Sequence, residues 1–317
     1  PDEGRIELDG TVFFDSEKKI DLKPQKRRVG LLFQNYALFP NMTVRQNLLT
    51  GVKAREKDRE KADRLVREMI RRFSLDGLEG HRPCQLSGGQ QQRTALARIL
   101  LSKPRMLMLD EPFSALDGYL RWNLELELSE VLQEYGCSTL FVSHSRDEIY
   151  RICRQVCVMD RGTSGPVIPV KQLFDSPVSK AAALLSGCKN YSRARPAGGH
   201  TAFARDWGVT LAYEGEAPER FRYMGIRSHY LRLVPSEETE GLENVFRCSI
   251  RRIIEDVFSM VVMVSPADAP EVSAGDGHES WLRLELSKEA WEAFRRKEGR
   301  QEEVLVHVDP GDVMLLR

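Results

Sequence analysis

The sequence predicts a mostly parallel α/β sheet domain followed by a small β-barrel domain, and three features of its patterning carry that prediction. Two nearly continuous apolar runs, RMLMLDEP at 105–112 and STLFVSH at 138–144, read as parallel strands buried on both faces. Helical patterning over 90–102, 118–135 and 145–153 alternates with them, the order expected of strand–helix–strand units. Past about residue 187 short alternating segments dominate, among them FRYMGIRS, SWLRLEL and VLVHVDPGDVMLL, so the expected domains are 1–187 and 188–317. The stretch SGCKNYSRARPAGGH at the junction, rich in Gly, Ser, Pro and Arg, reads as a linker.

The elements follow in order. RIELDG, TVFF and RRVGLLF over residues 5–33 are short strands with turn signals at Asp9-Gly10 and around Pro24. Thr43 stands in N-cap position before the apolar-periodic TVRQNLLT. Residues 56–75 place Ala62, Leu65, Val66, Met69, Ile70 and Phe73 at spacings of three and four, with a charged opposite face. QVCVMD at 155–160 is a further strand.

Bulk properties exclude more than they assign. The chain has 317 residues with 47 basic and 47 acidic side chains, so no net field draws it to nucleic acid or anionic lipid. It contains no apolar run of about 18 residues that could span a bilayer. Six cysteines without an apolar leader fit reduced thiols, and Cys153 with Cys157 are two ligands where a zinc site needs more.

Chemistry concentrates at strand ends. Asp110 and Glu111 close the first buried run, at the edge of a parallel sheet where ligands of open α/β folds bind. An Asp there can hold Mg²⁺ and a neighbouring Glu can take a proton from water; as an isolated pair, the two acids serve equally well to cap the next helix. His144 ends the next buried run on the same edge, and Gln34 ends the strand before. A lone strand-end His is more often a satisfied polar group, and a lone Gln more often a turn residue. Ser87, Gly88 and Gly89 lie just ahead of helix 90–102, where backbone N–H groups and the helix dipole form an anion site that glycine lets a ligand approach.

In order and spacing, FQNYALFP, LSGGQQQR, LMLDEPFSALD and FVSHS resemble the Q-loop, signature, Walker B with D-loop, and switch-histidine motifs of ATP-binding-cassette (ABC) transporter nucleotide-binding subunits. The resemblance covers residues 1 to about 185 motif by motif. It implies a P-loop-NTPase-like sheet with a helical signature subdomain, ATP and Mg²⁺ as cofactors, and a homodimer. It implies Asp110 and Gln34 as metal ligands, Glu111 as general base, and His144 on the γ-phosphate. Ser87, Gly88, Gly89 and Gln90 would grip the nucleotide of the opposite subunit, with Asp117 bridging the two sites. Residues 35–50 would receive a cytoplasmic helix of a membrane permease, which implies a peripheral subunit on the cytoplasmic face of the membrane.

The sequence departs from the pattern in one respect: no G-x-x-x-x-G-K-[ST] loop occurs in it, nor the aromatic residue that would stack on adenine. The expectation is a chain truncated ahead of Pro1, lacking the P-loop strand and helix, with part of its sheet uncovered, binding ATP poorly and not hydrolysing it. RYMGIRSHYLRLV looks like a strand of the oligosaccharide-binding-like (OB-like) regulatory module of importers. DSEKKIDLKPQKRRVGLLFQNYALFPNMTVRQNL resembles the molybdate/sulfate subgroup and is partly shared with iron and polyamine importers. The resemblance therefore implies an importer ATPase for an oxyanion, molybdate first, acting with an extracytoplasmic binding protein and no nucleic acid. Soluble cassette ATPases share the motifs, but those of DNA repair carry long insertions and those of translation two cassettes.

Overall fold

The computed structural model describes all residues except 54, 115–117, 271–279 and 300. The chain divides into two compact units, Pro1–Ile152 and Cys153–Arg317.

The first unit opens with an antiparallel meander of β1 (Arg5–Leu8), β2 (Thr11–Asp15) and β3 (Ile20–Asp21). The β1–β2 turn places Asp9 at φ 46° and Gly10 at φ 74°, the paired left-handed conformations of a two-residue hairpin, which Asp-Gly adopts readily. Then come α1 (Pro24–Arg27), β4 (Val29–Leu32), α2 (Val44–Lys53), α3 (Arg59–Arg72), α4 (Gly88–Leu101), β5 (Met106–Asp110), α5 (Gly118–Tyr135), β6 (Ser138–Val142) and α6 (Arg146–Ile152). Strands β4, β5 and β6 form a parallel sheet in that order, with Leu32 opposite Leu109 and Asp110 opposite Val142, so the three C-terminal ends align.

One face of this sheet is core. Leu32, Leu107 and Leu109 are buried with Leu96, Leu100, Phe113 and Leu124. Gly30 lets α4 close on it, since a Cβ there would stand 2.3 Å from Ile99 Cγ2. The other face differs from the expectation of strands buried on both sides. Leu31, Phe33, Leu140 and Val142 are exposed, because alternate residues point away from the helices and no described element of this unit covers them.

The second unit begins with the hairpin β7 (Gln155–Asp160) and β8 (Thr163–Pro169), followed by α7 (Val170–Asp175) and α8 (Lys180–Leu185). The remaining strands are β9 (Asn190–Gly198), β10 (Thr201–Ala204), β11 (Val209–Ala212), β12 (Tyr223–Ile226), β13 (Arg232–Val234), β14 (Val245–Glu255), β15 (Ser259–Pro266), β16 (Leu282–Ser287), β17 (Glu303–His307) and β18 (Met314–Leu316), with α9 (Lys288–Glu298) between β16 and β17. They form two antiparallel five-stranded sheets, β11-β10-β9-β12-β18 and β13-β17-β14-β15-β16, around a shared core that includes Trp207, Met224, Ile226, Val262 and Val306.

Two expectations are corrected here. The stretch read as a linker is the central strand β9 of the first five-stranded sheet. Its Asn190, Ser192 and Ala194 point inward at alternate positions, small and polar residues that conceal a period of two. Asn190 is satisfied by Arg283, donating to its carbonyl at 2.9 Å and accepting from its N–H at 2.6 Å. The helix α9 lies within a region read as strands only; Ser287 caps it by accepting from the Ala290 N–H at 3.1 Å, and Trp291 and Phe294 supply its buried face.

Arg227, within the GIRS stretch, is buried and donates to the Ser186 carbonyl at 2.6 Å and to the Phe174 carbonyl, so it holds the ends of α7 and α8 against β12. Near the start of β9, Asp206 accepts from the Arg193 backbone N–H at 2.6 Å and from its guanidinium at 2.6 and 2.9 Å. Burial alone would push this carboxyl up, but the Arg193 bonds outweigh it and hold the group below the usual carboxylate range. A depressed folded value means the stabilisation is present above the unfolded value of about 3.9 and is lost as pH falls through the folded one. Asp206→Asn is therefore expected to cost about 1–2 kcal/mol at pH 7 in urea unfolding, with the gap to wild type narrowing below about pH 4.

Candidate active site

The aligned C-terminal ends of β4, β5 and β6 gather the side chains singled out in the sequence. Asp110 is the last residue of β5 and is exposed. Glu111, next along, takes a left-handed backbone conformation at φ 44°, which costs a non-glycine residue energy. Its N–H donates to the Val142 carbonyl at 2.9 Å, so the strand pairing continues one residue past β5 and the chain then turns sharply. That turn aims the Glu111 side chain along the sheet edge, where Oε1 lies 3.0 Å from Nδ1 of His144.

An ionised carboxylate only accepts, so Nδ1 is the protonated nitrogen facing Glu111, and Nε2 is left pointing outward. His144 is largely exposed, at 75% of its side chain, and Glu111 is 30% exposed. The imidazole sits on a supported turn: Ser143 Oγ donates to the buried Glu148 at 2.6 Å and accepts from the Ser145 N–H at 2.9 Å.

Gln34 joins the group through a residue that sequence reasoning passed over. Its Nε2 donates to Ser114 Oγ at 3.1 Å, and Ser114 Oγ donates to the Glu111 carbonyl at 3.0 Å. Ser114 lies in the quoted LMLDEPFSALD stretch, and its position three residues after Glu111 is the signal that could have found it. With Nε2 engaged, the Gln34 carbonyl oxygen is the end open to a cation. Asp117 lies outside the described residues.

The glycine pair is placed differently from expectation. Gly88 and Gly89 are the first two residues of α4 itself, and Ser87 is its N-cap. Ser87 Oγ accepts from the Gln90 N–H at 3.3 Å while Gln90 Oε1 accepts from the Ser87 N–H at 2.9 Å, a reciprocal capping box. The glycine amides of a first helical turn have no partner within the helix, so they face an outside acceptor with the helix dipole behind them. Arg93, one turn on, pairs with both oxygens of Glu127 on α5 at 2.9 and 2.6 Å.

Residues 35–50 form a tight turn running into α2. Tyr36 and Ala37 adopt φ 60° and 43°, which drives the Tyr36 ring into the core and leaves Asn35, Ala37, Phe39 and Pro40 exposed. Thr43 and Gln46 cap α2 reciprocally, Thr43 N–H to Gln46 Oε1 at 2.9 Å and Gln46 N–H to Thr43 Oγ1 at 3.3 Å. Among the described residues no group of three or more His, Cys, Asp or Glu is arranged to hold a metal ion, and no helix is long and apolar enough to cross a membrane.

Comparison with known proteins bears on this arrangement. Residues 1–114 match the ABC transporter family. The molybdate/tungstate import ATP-binding protein of Thermococcus kodakarensis is 35% identical over 255 residues, which are 80% of this chain and 76% of that protein. The chain belongs to the ABC transporter ATP-binding family. A spermidine/putrescine import ATP-binding protein from Methylococcus capsulatus is 38% identical over 57% of this chain and 47% of its own. The chain spans about half the length of that relative and of the further spermidine/putrescine proteins it matches. A solved dimer of the ATP-binding cassette MJ0796 with ADP and Pi aligns at TM-score 0.46 and 25% identity, over 53% of this chain and 74% of that one.

Because Ser87 and Gln90 close the capping box that starts α4, Ser87→Ala is expected to destabilise the first unit by about 1 kcal/mol in urea unfolding. Ser87→Asn, another good N-cap, is expected to recover most of that loss.

Proposed function

We propose that this chain is the ATP-hydrolysing subunit of an ABC importer, with Glu111 as the general base on the hydrolytic water. The observation that carries the reading is the Glu111–His144 contact at 3.0 Å on the same sheet edge as Asp110 and Gln34. A carboxylate held there accepts a proton from water, and its partner imidazole presents Nε2 toward the phosphate being attacked.

Magnesium fits the donor set by its chemistry. Asp110 and the Gln34 carbonyl are hard oxygen donors, and the absence of a larger acidic cluster among the described residues suits an ion that keeps its waters and takes the rest of its ligands from phosphate. Held there by Asp110 and Gln34, Mg²⁺ would supply neutralisation of phosphate charge. Ser87, Gly88, Gly89 and Gln90 would face ATP held by a second copy of the chain, so the working unit is a homodimer, with Asp117 in the bridging role that the resemblance gives it. No Walker A loop lies within these 317 residues, and the chain by itself is expected to show no ATP turnover.

The exposed turn around Phe39 is the proposed seat of a permease helix, which makes the chain a peripheral subunit at the cytoplasmic face of the membrane. For the cargo the reading is an oxyanion, molybdate first, delivered by an extracytoplasmic binding protein. It is favoured by the relative of Thermococcus kodakarensis, whose match extends well beyond the shared ATPase motifs into the second unit. Relatives that import spermidine/putrescine or sn-glycerol-3-phosphate keep those cargoes as the competing outcomes, together with sulfate and iron.

The test is ATP hydrolysis by the transporter assembled with its binding protein around an ATPase subunit that carries these residues together with a Walker A loop, offered molybdate, sulfate, spermidine and glycerol-3-phosphate in turn. Stimulation by molybdate supports the full reading; stimulation by another solute moves the cargo assignment, and hydrolysis indifferent to permease and solute overturns the importer role. In the same assembly Glu111→Gln is expected to retain ATP binding and subunit closure while lowering kcat by at least about 100-fold, and an unchanged kcat removes Glu111 from the base role.

A further inference from the structure

We infer that Arg98 on α4 is a positioning residue that locks the 35–43 turn to the signature helix, so that a load on Phe39 reaches Ser87 as motion of one rigid piece. What the two ends do rests on the importer reading above; the lock itself is geometric.

Arg98 leaves α4 in its last turn and reaches across to the turn that follows Gln34. One guanidinium nitrogen donates to the Tyr36 carbonyl at 3.3 Å and the other to Asn47 Oδ1 at 3.5 Å, while the guanidinium carbon lies over the Phe39 ring, 5.2 Å from its centroid. Phe39 is about half exposed, so the same ring meets solvent on one side and the arginine on the other. Asn47 is fully buried and completes the turn: its Oδ1 accepts from the Phe39 N–H at 2.9 Å, and its Nδ2 donates to the carbonyls of Phe39, Met42 and Thr43 at 3.1–3.2 Å.

The helices beneath leave no slack. A Cβ at Gly51 of α2 would stand 2.1 Å from the Arg98 carbonyl oxygen, so α2 and α4 touch backbone to backbone at the residue that carries the clamp. Arg55 donates from Nε to the Leu101 carbonyl at 2.9 Å and fastens the C-terminal ends of the same two helices.

Burial disfavours the charged form of Arg98 and lowers its ordinary value. Its hydrogen-bond partners among the described residues are neutral oxygens, so no carboxylate repays the desolvation. A half-buried cation with that poor a return is a costly way to fill space. It is an effective way to bind a strained turn, with Tyr36 and Ala37 at positive φ, to a helix whose far end is the Ser87 cap.

The experiment compares wild type, Arg98→Met and Arg98→Lys in the same transporter, whose ATPase subunit carries these residues together with a Walker A loop. Arg98→Met is expected to keep unstimulated hydrolysis within about twofold of wild type and to cut stimulation by substrate-loaded binding protein about fivefold, with Arg98→Lys between the two. Equal loss of stimulated and unstimulated rates, or full stimulation in Arg98→Met, overturns the inference. Amide hydrogen exchange on the 317-residue chain gives a second readout that needs neither nucleotide nor permease. Arg98→Met is expected to speed exchange about tenfold at Phe39 and at Gln90 and Gln91 together, and acceleration at Phe39 alone overturns the lock. A wild-type transporter without stimulation would bring down the importer reading, and the exchange result would then decide the role of Arg98 separately.

Discussion

The hydrogen bond from the Glu111 N–H to the Val142 carbonyl is the contact on which the site depends. It extends the β5–β6 ladder one residue beyond the strand and obliges Glu111 to reverse direction in a left-handed conformation. A relaxed turn would let this side chain range over the surface. Held as it is, the carboxylate meets His144, and the backbone carbonyl meets Ser114 and through it Gln34. Backbone strain of about 1–3 kcal/mol at one residue fixes the relative placement of side chains from three strands, and the buried core beneath the sheet bears that cost.

The N-terminal end of α4 is built on a different principle. There the backbone is relaxed, and side chains close the cap, leaving the two glycine amides as the part that can be spent on a ligand. The Glu111 edge thus relies on an enforced conformation and the Ser87 edge on a helix terminus. Both are anchored to the same apolar cluster, since Leu96 and Leu100 of α4 pack with Leu107 and Leu109 of β5.

Much of this was legible because it follows local rules. The limits expected for 118–135 and 155–160 coincide with α5 and β7, where Gly118 and Gly136 bound the helix and β7 alternates at a period of two. The clustering of Gln34, Glu111 and His144 followed from each standing at the end of a parallel strand. What was hidden depends on partners distant in sequence. β9 reads as linker because its inward residues are Asn, Ser and Ala, and only the pairing of Asn190 with Arg283 makes that burial tolerable. The uncovered face of β4–β6 carries the same apolar residues as the covered one, so composition could not mark it, and its exposure was legible only through the P-loop strand and helix the sequence lacks. Arg98 looks like the polar position of an amphipathic helix until the turn 62 residues before it in the chain is folded against it.

The cysteines carry a consequence for observing the molecule. Cys188 and Cys248 are both buried in the second unit, with burial pushing Cys188 up and Cys248 up to about 12. Neither forms an appreciable thiolate while the sheets stay closed, whereas Cys84 and Cys157 lie at the surface. Alkylation should then proceed in two waves, an immediate one at the surface thiols and a delayed one timed by breathing of the β domain, so the unmodified chain carries its own clock for that motion.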